Sequence, residues 1–360
     1  MNKYKELLEK TIVPSTLSQE EQKNVYADIT EYINKCMPKK LYRFRGCNER
    51  SFGALFRDEL WFTSGSEMDD DYEARIYYDK DKIHQWIHSL INGQGNLKVL
   101  EQLRMMQNMP SGMENIIPNA PHVFELIKNL PENVVQQTSK QFLQHLNHNL
   151  EKGLERITNI IQSSVKFACF SRNIKSDMMW GHYAANSTGF ALEFKFEGNQ
   201  SFVGSVDMFG QVKSSCSLFP ILYGSERFDA TEFAVYLFKV DMLMNALAMQ
   251  NIPYNMQWIN LIVPCPDLFA ASKLALNKSN EWKPEKEWRL FLTNLNNEGN
   301  NKKYDCILLK PSAIYLGRKI SELNEKIIKD LVKDKEIPIF KMYIDDQSNN
   351  YKLKYYRIKS

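Results

Sequence analysis

The chain has 360 residues, of which 43% are hydrophobic and 25% are charged, as is ordinary for a globular protein. Its 46 basic and 43 acidic residues leave a net charge of +3, which argues against binding of nucleic acid through bulk positive charge. The six cysteines include no Cys-x-x-Cys pair, so we expect reduced thiols and no disulfide framework.

The N-terminal residues lack the pattern of a secretory signal, because Met1–Glu6 is followed by no apolar run of the required length. No stretch approaches the roughly 18 apolar residues that a membrane helix needs. We therefore expect a soluble, cytoplasmic protein with no membrane partner. Abundant Lys, Asn and Ile are typical of an AT-rich bacterial or phage genome.

The N-terminal part is predicted to be a helix followed by strands. Ser18 and Glu21 form a capping box, which satisfies free backbone amides at the start of a helix over 15–37. Residues 41–45 alternate apolar and basic side chains, as a half-buried strand does. The elements predicted next are a helical turn at 51–57, a strand at 60–64 and an acidic loop at 67–73.

Residues 80–165 are rich in Gln, Asn, His and Leu at helical spacing and are interrupted by prolines. This pattern predicts a helical insertion, which would serve as a lid or as a dimer surface. The predicted organisation is an N-terminal helical segment at 1–39 and a single α+β domain at 40–355, with the insertion inside it.

Strand patterns dominate the chain after residue 165. Strands are predicted at 166–171, 189–196, 220–223, 287–292, 313–316, 337–344 and 351–358. Helices are predicted at 177–185, 228–249, 268–276 and 321–333. Because strands and helices do not alternate strictly, the predicted fold is α+β, with a mixed, mainly antiparallel sheet and flanking helices.

Several short motifs stand in a fixed order between residues 40 and 355. They are Leu41–Arg45, Leu60–Ser64, Asp69–Glu73, Cys169–Ser171, Met179–Ala184, Gly189–Phe194, Trp282–Arg289 and Pro311–Gly317. In this order and spacing they resemble the bacterial family called domain of unknown function 2971. That family usually shows Asn-Asp-Pro-Phe-Glu where this chain has Asp69–Glu73, so the loop is more acidic here. The resemblance implies a shared fold unit and says little about mechanism.

The layout is also similar, more distantly, to that of ADP-ribosyltransferases. An early strand carries Tyr and Arg, and a late strand begins with Glu. This resemblance implies that Arg43 or Arg45 holds NAD and that Glu287 is the catalytic carboxylate. The middle residue of the triad would be Ser64 or Tyr183. A carboxylate at the sugar would stabilise the positive charge that builds there as the nicotinamide bond breaks.

On this hypothesis the protein is an NAD-dependent transferase or glycohydrolase that acts as a toxin or phage-defence effector. A protein or a nucleic acid would be the acceptor. The hypothesis requires Arg45 and Glu287 to converge in one cleft, and it fails if they lie on opposite faces of the sheet.

Residues 179–183 form a second candidate cluster of functional side chains. His182 has an unperturbed pKa near neutrality and so suits acid–base chemistry. Trp180 and Tyr183 could stack on a ligand ring, and Tyr42 is assigned to the same cofactor site. The alternative is structural, with Trp180 and Tyr183 as core aromatics and His182 capping a helix.

Three alternatives to the transferase stay open at this stage. Arg45 and Glu287 could form an ion pair that pins two core strands. The chain could also be a regulatory module that binds a nucleotide or a protein without catalysis. A metal-dependent nuclease would use Asp70, Glu73 and Glu285 as hard oxygen ligands.

Overall fold

The computed structural model describes most of the chain. The described residues are 3–91, scattered positions between 121 and 149, 150–196, 198, 201–206, 212–249, 259–260, 262–294 and 305–358. The predicted insertion therefore lies mostly outside the described residues, although its two ends are helices at Lys80–Ile91 and Leu150–Ser164.

Fourteen strands are found within the described residues. They are β1 (Leu41–Arg45), β2 (Glu59–Trp61), β3 (Thr63–Ser64), β4 (Lys166–Ser171), β5 (Phe190–Phe194), β6 (Ser201–Val206), β7 (Val212–Pro220), β8 (Leu222–Gly224), β9 (Asn277–Ser279), β10 (Glu287–Asn294), β11 (Cys306–Leu308), β12 (Ala313–Leu316), β13 (Ile339–Ile344) and β14 (Leu353–Arg357).

Ten of these strands form one sheet in the order β14-β13-β12-β5-β1-β4-β10-β7-β6, with β3 also paired to β4. Every neighbouring pair in the sheet is antiparallel except β12–β13. The predicted α+β class, with a mixed, mainly antiparallel sheet, is confirmed. Two small ladders, β2–β11 and β8–β9, lie outside this sheet.

The helices flank the sheet. Besides the two that end the predicted insertion, they span Lys3–Lys10, Gln19–Cys36, Glu49–Phe56, Asp177–His182, Thr231–Met249, Ala270–Leu274 and Glu322–Val332. The capping box predicted at Ser18 is present, with its hydroxyl accepting from the Glu21 amide. Within the described residues, no helix is both long enough and apolar enough to cross a bilayer.

The hydrophobic core is divided among both sides of the sheet. The first two helices bury Tyr4, Leu8, Ile29 and Ile33 in the same cluster as Phe167 of β4. A separate cluster joins the helices at the ends of the predicted insertion to Thr231–Met249. Burying one such side chain contributes about 2 kcal/mol, so these contacts tie the helices to the sheet.

The sheet opens between β1 and β4. These strands are joined by a single residue pair, Tyr42 with Ser171. Farther along β4, β3 takes the place beside it and pairs Thr63 with Phe167. The consequence is a gap in the sheet, with β1 on one side and β3 and β4 on the other. The candidate functional site lies at this gap.

A left-handed turn holds the start of β5 against the end of β1. Ala185, Asn186 and Ser187 have φ of 47°, 54° and 67°, a conformation that costs non-glycine residues about 1–2 kcal/mol each. The Ser187 amide donates to the Trp180 carbonyl at 2.9 Å, which fixes the turn. At Gly189 a Cβ would lie 2.1 Å from the Arg45 carbonyl oxygen, so this close approach requires glycine. The helix therefore ends at His182, three residues earlier than predicted.

Some predicted elements differ from those observed. The strand predicted over 60–64 is two strands, because β2 pairs with β11 while β3 pairs with β4. The strand predicted at 220–223 is the junction of β7 and β8. The Ser-rich β6 and the short β9 and β11 have no strong apolar alternation, and they were not predicted.

Candidate functional site

A cavity of about 200 Å³ lies at the gap between β1 and β4. One wall is basic and comes from β1, with Arg43 and Arg45. The opposite wall consists of charged residues from the acidic loop and from the segment that leads into β10. We call these the arginine wall and the acidic wall. The acidic wall comprises Glu73, Lys278, Glu285 and Glu287, together with Arg289, which is buried, does not line the cavity and binds two of these carboxylates. The cavity is also lined by Glu67, Asp69 and Asp70 of the acidic loop.

The backbone before β10 brings two carboxylates together. Lys286, which lies between Glu285 and Glu287, has a left-handed conformation with φ of 49°. The chain turns there from a 3-10 helix into the strand, and both carboxylates contact the Lys278 ammonium, at 2.7 Å and 3.3 Å. Two buried carboxylates thus share one cation.

Arg289 is the centre of the acidic wall and is 0% exposed. Its Nε donates to Glu287 Oε1 at 2.7 Å, and its Nη2 donates to Glu73 Oε2 at 2.6 Å. Nη1 also donates to Glu73 and to the Ala275 carbonyl, and the guanidinium lies 4.4 Å from the centroid of the Phe167 ring. A guanidinium carries five N–H donors in a fixed fork, which is why one arginine can bind both carboxylates.

Tyr183 and Trp282 complete the acidic side of the cavity. The Tyr183 hydroxyl donates to Glu285 Oε1 at 2.6 Å. Burial, this hydrogen bond and the Glu285 charge all raise the pKa of Tyr183, so its hydroxyl stays protonated. Trp282 presents its ring to Lys278 at 4.4 Å, and it is half-buried and lines the cavity.

Glu287 is ionised under ordinary conditions. Burial alone would raise its pKa, but the charges of Arg289 and Lys278 lower that pKa to about 2. Cys169 lies beside it, and burial followed by the Glu287 charge raises the pKa of this thiol well above its usual value. Cys169 is therefore a neutral thiol rather than a reactive thiolate.

The arginine wall has no comparable set of partners. Arg43 is 6% exposed, and its Nη2 donates to the Trp61 carbonyl at 2.7 Å. Its Nη1 is buried without a hydrogen-bond partner in the part of the chain that the structure describes. Burial, followed by repulsion from Arg45 among its charged neighbours, lowers the pKa of Arg43. A buried guanidinium is costly unless an acceptor satisfies it.

Arg45, like Arg43, has few hydrogen-bond acceptors around its guanidinium. Its Nη1 donates to the Phe44 carbonyl at 3.4 Å, and within the described residues it forms no ion pair. Burial and the repulsion of nearby Arg50 lower its pKa to about 10, despite the opposing effect of Cys169. Two neighbouring guanidiniums therefore line the cavity without a carboxylate against either of them.

A second cavity, of about 290 Å³, adjoins the first. Both are lined by Arg43, Phe44, Arg45, Thr63 and Tyr183, so they meet at the gap in the sheet. The second cavity extends towards the helix Glu49–Phe56 and β2. Its further lining residues are Gly46, Asn48, Arg50, Ser51, Ala54, Glu59, Leu60, Trp61, Leu192 and Phe194.

Arg45 and Glu287 lie on opposite faces of the sheet, the arrangement that the transferase hypothesis excludes, yet both line the first cavity, as that hypothesis requires. Tyr42 lies opposite Ser171, which lies opposite Glu287, so these three share one face of the sheet. Arg45 alternates with this row and belongs to the other face. Both Arg45 and Glu287 nevertheless line the first cavity, because β1 has separated from β4 there. They do not form the expected ion pair, since Glu287 binds Arg289 and Lys278 instead.

The other predicted site residues divide into two groups. Tyr42 and Tyr183 line the first cavity, as the two arginines do. Trp180 is a core residue that packs edge-on against Phe44 and donates to the Ile174 carbonyl at 2.7 Å. His182 is exposed at the end of the same helix, with its ring centroid 6.4 Å from that of Tyr183. Neither Trp180 nor His182 lines either cavity.

Ser64 also lies away from both cavities. Its hydroxyl contacts Ser66 and Glu67 at the end of β3, so its role there is to cap a short 3-10 turn. Ser171 is the serine that lies between Tyr42 and Glu287 in the cross-strand row. Its hydroxyl donates to the Glu285 carbonyl at 2.7 Å and holds the segment before β10 in place.

Sequence reasoning named Glu73, Glu285 and Glu287 of the acidic wall, in other roles for the first two, and missed Arg289 and Lys278. Arg289 could have been found, because residues two apart on a strand share a face, and Arg289 follows Glu287 by two. Lys278 gave no such signal, although it lies only seven residues before Glu285. The contact of Glu73 with Arg289 could not be predicted, since the two come from distant segments that only the fold brings together.

Metal binding gains no support from the geometry. In the described segments, no group of three or more His, Cys, Asp and Glu side chains is arranged to hold a metal ion. Glu73 and Glu285, two of the ligands proposed for a nuclease, are bound to Arg289 and Lys278.

Residues 179–290 match the model of a family described as Protein of unknown function (DUF2971). The matched segment contains Tyr183, Lys278, Glu285, Glu287 and Arg289, and it begins well after the arginine wall. It is therefore similar to that family in the part that forms most of the acidic wall. No curated protein and no solved structure matches the chain, and the distant likeness to ADP-ribosyltransferases gains no support from these comparisons.

Proposed function

We propose that the first cavity binds a nucleotide with both anionic and cationic parts, with NAD as the substrate, and that the acidic wall promotes cleavage of its N-glycosidic bond. The observation that carries this proposal is the polarity of one cavity. Arg43 and Arg45 stand at one side, and Glu285 and Glu287 stand at the other. NAD matches this arrangement, since its diphosphate is anionic and its nicotinamide ring is cationic.

The acidic wall has an excess of negative charge. Glu73, Glu285 and Glu287 supply three carboxylates, while Lys278 and Arg289 supply two cations, which leaves a formal charge of −1. Such preorganised charge favours a species that becomes more positive at the sugar, and it acts at the transition state more than on the bound substrate.

The chemistry that follows is simple in outline. The bond between the ribose carbon and the nicotinamide nitrogen breaks, and its electron pair leaves with neutral nicotinamide. The positive charge on the ribose is then quenched by water, or by an acceptor hydroxyl of a protein or nucleic acid, which loses a proton. Glu287, with its pKa of about 2, stays ionised throughout, and its negative charge stabilises the positive charge that develops on the ribose.

Release of nicotinamide from NAD by the purified protein, with cell lysate as acceptor source, tests this proposal. We expect release by the wild type and at least a hundredfold slower release by Glu287→Gln, because one carboxylate facing the sugar is lost. Tyr183→Phe keeps the wall charged and removes only one hydrogen bond, so it should retain activity within about tenfold.

The matched control is Glu322→Gln, which removes the same charge from an exposed helix end that lines neither cavity. Circular dichroism of each variant verifies that it is folded. Absence of release from the wild type, or release from folded Glu287→Gln at the wild-type rate, would exclude the enzymatic proposal. In cells, an enzyme of this kind would act as a toxin or phage-defence effector and would deplete NAD when expressed.

A second candidate is a regulatory module that binds a nucleotide without cleaving it. The specific observation in its favour is that Glu285 and Glu287 already have partners in Tyr183, Lys278 and Arg289. Such a module would bind NAD and release no nicotinamide, and Glu287→Gln would leave its affinity within about threefold.

A further inference from the structure

A third cavity lies at the end of the sheet where β4 and β7 stop and β10 begins. The helices Lys3–Lys10 and Gln19–Cys36 close its other side, through Tyr4, Tyr32 and Cys36. Its volume is about 610 Å³, against about 200 Å³ for the first cavity, so it accommodates a larger group. Neither arginine of β1 lines it, and its chemistry is therefore separate from that of the arginine wall.

Three exposed cations line the third cavity. They are Arg172, Lys283 and Lys286, and none of them has an ion-pair partner among the residues that the structure describes. Backbone hydrogen bonds fix their spacing. The Lys286 amide donates to the Lys283 carbonyl, and the Arg172 amide donates to the Lys286 carbonyl, each at 3.2 Å. The cavity is therefore bordered by a cluster of positive charge on an ordered backbone.

The negative charge at the third cavity is already neutralised. Among the described residues, Glu287 is the one carboxylate that lines it, and Glu287 binds Arg289 and Lys278. Tyr223 covers the Glu287 backbone here, since its hydroxyl accepts from the Glu287 amide at 2.8 Å. The three exposed cations thus remain available to a ligand with several negative charges.

Aromatic rings form the inner surface of the third cavity. Tyr4 and Tyr32 stack with their ring centroids 6.0 Å apart and their planes at 13°. Tyr223 and Trp288 supply two further rings. Tyr32 is half-buried, and the exposed Lys3 ammonium lies 5.9 Å from its centroid. A nucleobase at this ring would release the ammonium to a phosphate, and stacking of a base on an aromatic side chain contributes about 1–3 kcal/mol.

We propose that the third cavity binds single-stranded nucleic acid. Exposed cations beside accessible rings suit a single strand, because the cations bind its phosphates while the rings stack on its bases. A duplex keeps its bases within the stack and would meet only the cations. A free nucleotide has phosphate at one end only and would engage fewer of them.

The near-neutral net charge of the chain is compatible with this proposal, since it argues only against binding through bulk positive charge. The proposal goes beyond cleavage of NAD and does not rest on it, because different residues carry it. A bound strand would lie beside Glu287, which lines both the first and the third cavity.

Fluorescence anisotropy with a labelled oligothymidylate of about 12 nucleotides tests this inference, since sites on single strands span about 4–16 nucleotides. At low ionic strength and without NAD, we expect saturable binding at least tenfold tighter than that of a duplex of the same length. Thymidine monophosphate should compete at least a hundredfold more weakly than the unlabelled strand.

Two variants separate the rings from the charges. Tyr32→Leu keeps an apolar side chain against the core but removes the ring, and it should weaken binding at least fivefold. The double variant Arg172→Gln with Lys283→Gln should weaken binding at least tenfold. It should also reduce the slope of log affinity against log salt by about 1.4, because each phosphate contact with a single strand contributes about 0.7.

The matched controls change exposed residues that do not line the third cavity. They are Tyr351→Leu for the ring, and Arg318→Gln with Lys319→Gln for the charges, and both should bind the strand as the wild type does. Circular dichroism verifies that each variant is folded.

Four results would overturn the inference: no saturable binding of the strand, equal binding of the duplex, competition by thymidine monophosphate as strong as that of the strand, or folded variants that bind as their matched controls do. Its failure is separable from that of the proposed function. Strand binding by a protein that releases no nicotinamide upholds the third cavity alone. Release of nicotinamide by a protein that binds no strand upholds the proposed function alone.

Discussion

The acidic wall and the arginine wall face each other across one cavity, yet they satisfy their charges differently. On the acidic wall, Arg289 binds Glu73 and Glu287, Lys278 binds Glu285 and Glu287, and the Tyr183 hydroxyl also donates to Glu285. On the arginine wall, Arg43 and Arg45 donate to backbone carbonyls and form no ion pair within the described residues.

This difference indicates that the acidic wall supports the fold, as a framework, and that the arginine wall is the surface suited to bind a ligand. A buried ion network whose members satisfy one another can be structural, and removing one member leaves an uncompensated charge inside the protein. A buried cation without a partner gains more from a ligand than from the fold. The number of charged residues alone would not distinguish the two walls, because each of them contains an arginine on a strand.

The largest effect that this comparison predicts is at Arg289. Arg289→Met leaves Glu73 and Glu287 without their shared guanidinium, so we expect a loss of about 3–5 kcal/mol in the free energy of unfolding. Urea denaturation followed by circular dichroism measures it. The exposed Arg318→Met should stay within about 0.5 kcal/mol. If Arg289→Met lost less than about 1 kcal/mol in the free energy of unfolding, the acidic wall would not be a framework that supports the fold.

A smaller loss of stability is expected for the wild type at low pH. The ordinary pKa of a Glu is 4.5, and that of Glu287 is lowered to about 2. Its contribution to stability is therefore present above about pH 4.5 and is lost as pH falls towards 2. The contribution is on the order of 3 kcal/mol.

Stability of wild type and Glu287→Gln measured by urea denaturation between pH 7 and pH 2.5 checks this prediction. The two should converge as pH falls, because the wild type loses what the variant has already lost. Curves that remain parallel throughout would contradict the lowered pKa.

The smallest effect, and one of opposite sign, is expected at Arg45. Arg45→Gln removes a half-buried charge that has no carboxylate partner, so stability should stay unchanged or rise by up to about 1 kcal/mol. Thermal denaturation without ligand measures it. A loss of more than about 2 kcal/mol would place Arg45 in the framework and would abolish the contrast between the walls.

Local sequence patterns predicted the parts of the fold that depend on neighbours in the chain. The alternation of Leu41–Arg45 predicted β1, and the capping box at Ser18 predicted where a helix begins. The same alternation predicted that Arg43 and Arg45 share a face of β1, and both line the first cavity. That they hold NAD stays a prediction.

What could not be predicted depends on long-range contacts. Glu73 meets Arg289 across 216 positions of sequence, and Tyr183 meets Glu285 across 102. No local pattern encodes such pairs. For Trp180 the local pattern was clear but ambiguous, because an aromatic residue beside a ligand site and one in the core have the same helical spacing. Trp180 is in the core.

The single residue pair between Tyr42 and Ser171 has a mechanical consequence. A continuous sheet resists shear because many rungs carry the load together, but here the β14–β1 half and the β4–β6 half meet at one rung in the main path. Across the opening, the two halves are therefore held by side-chain packing more than by backbone hydrogen bonds, as where Phe170 of β4 lies edge-on against Phe194 of β5 with ring centroids 5.6 Å apart. A ligand that occupies the opening would add a further contact between them.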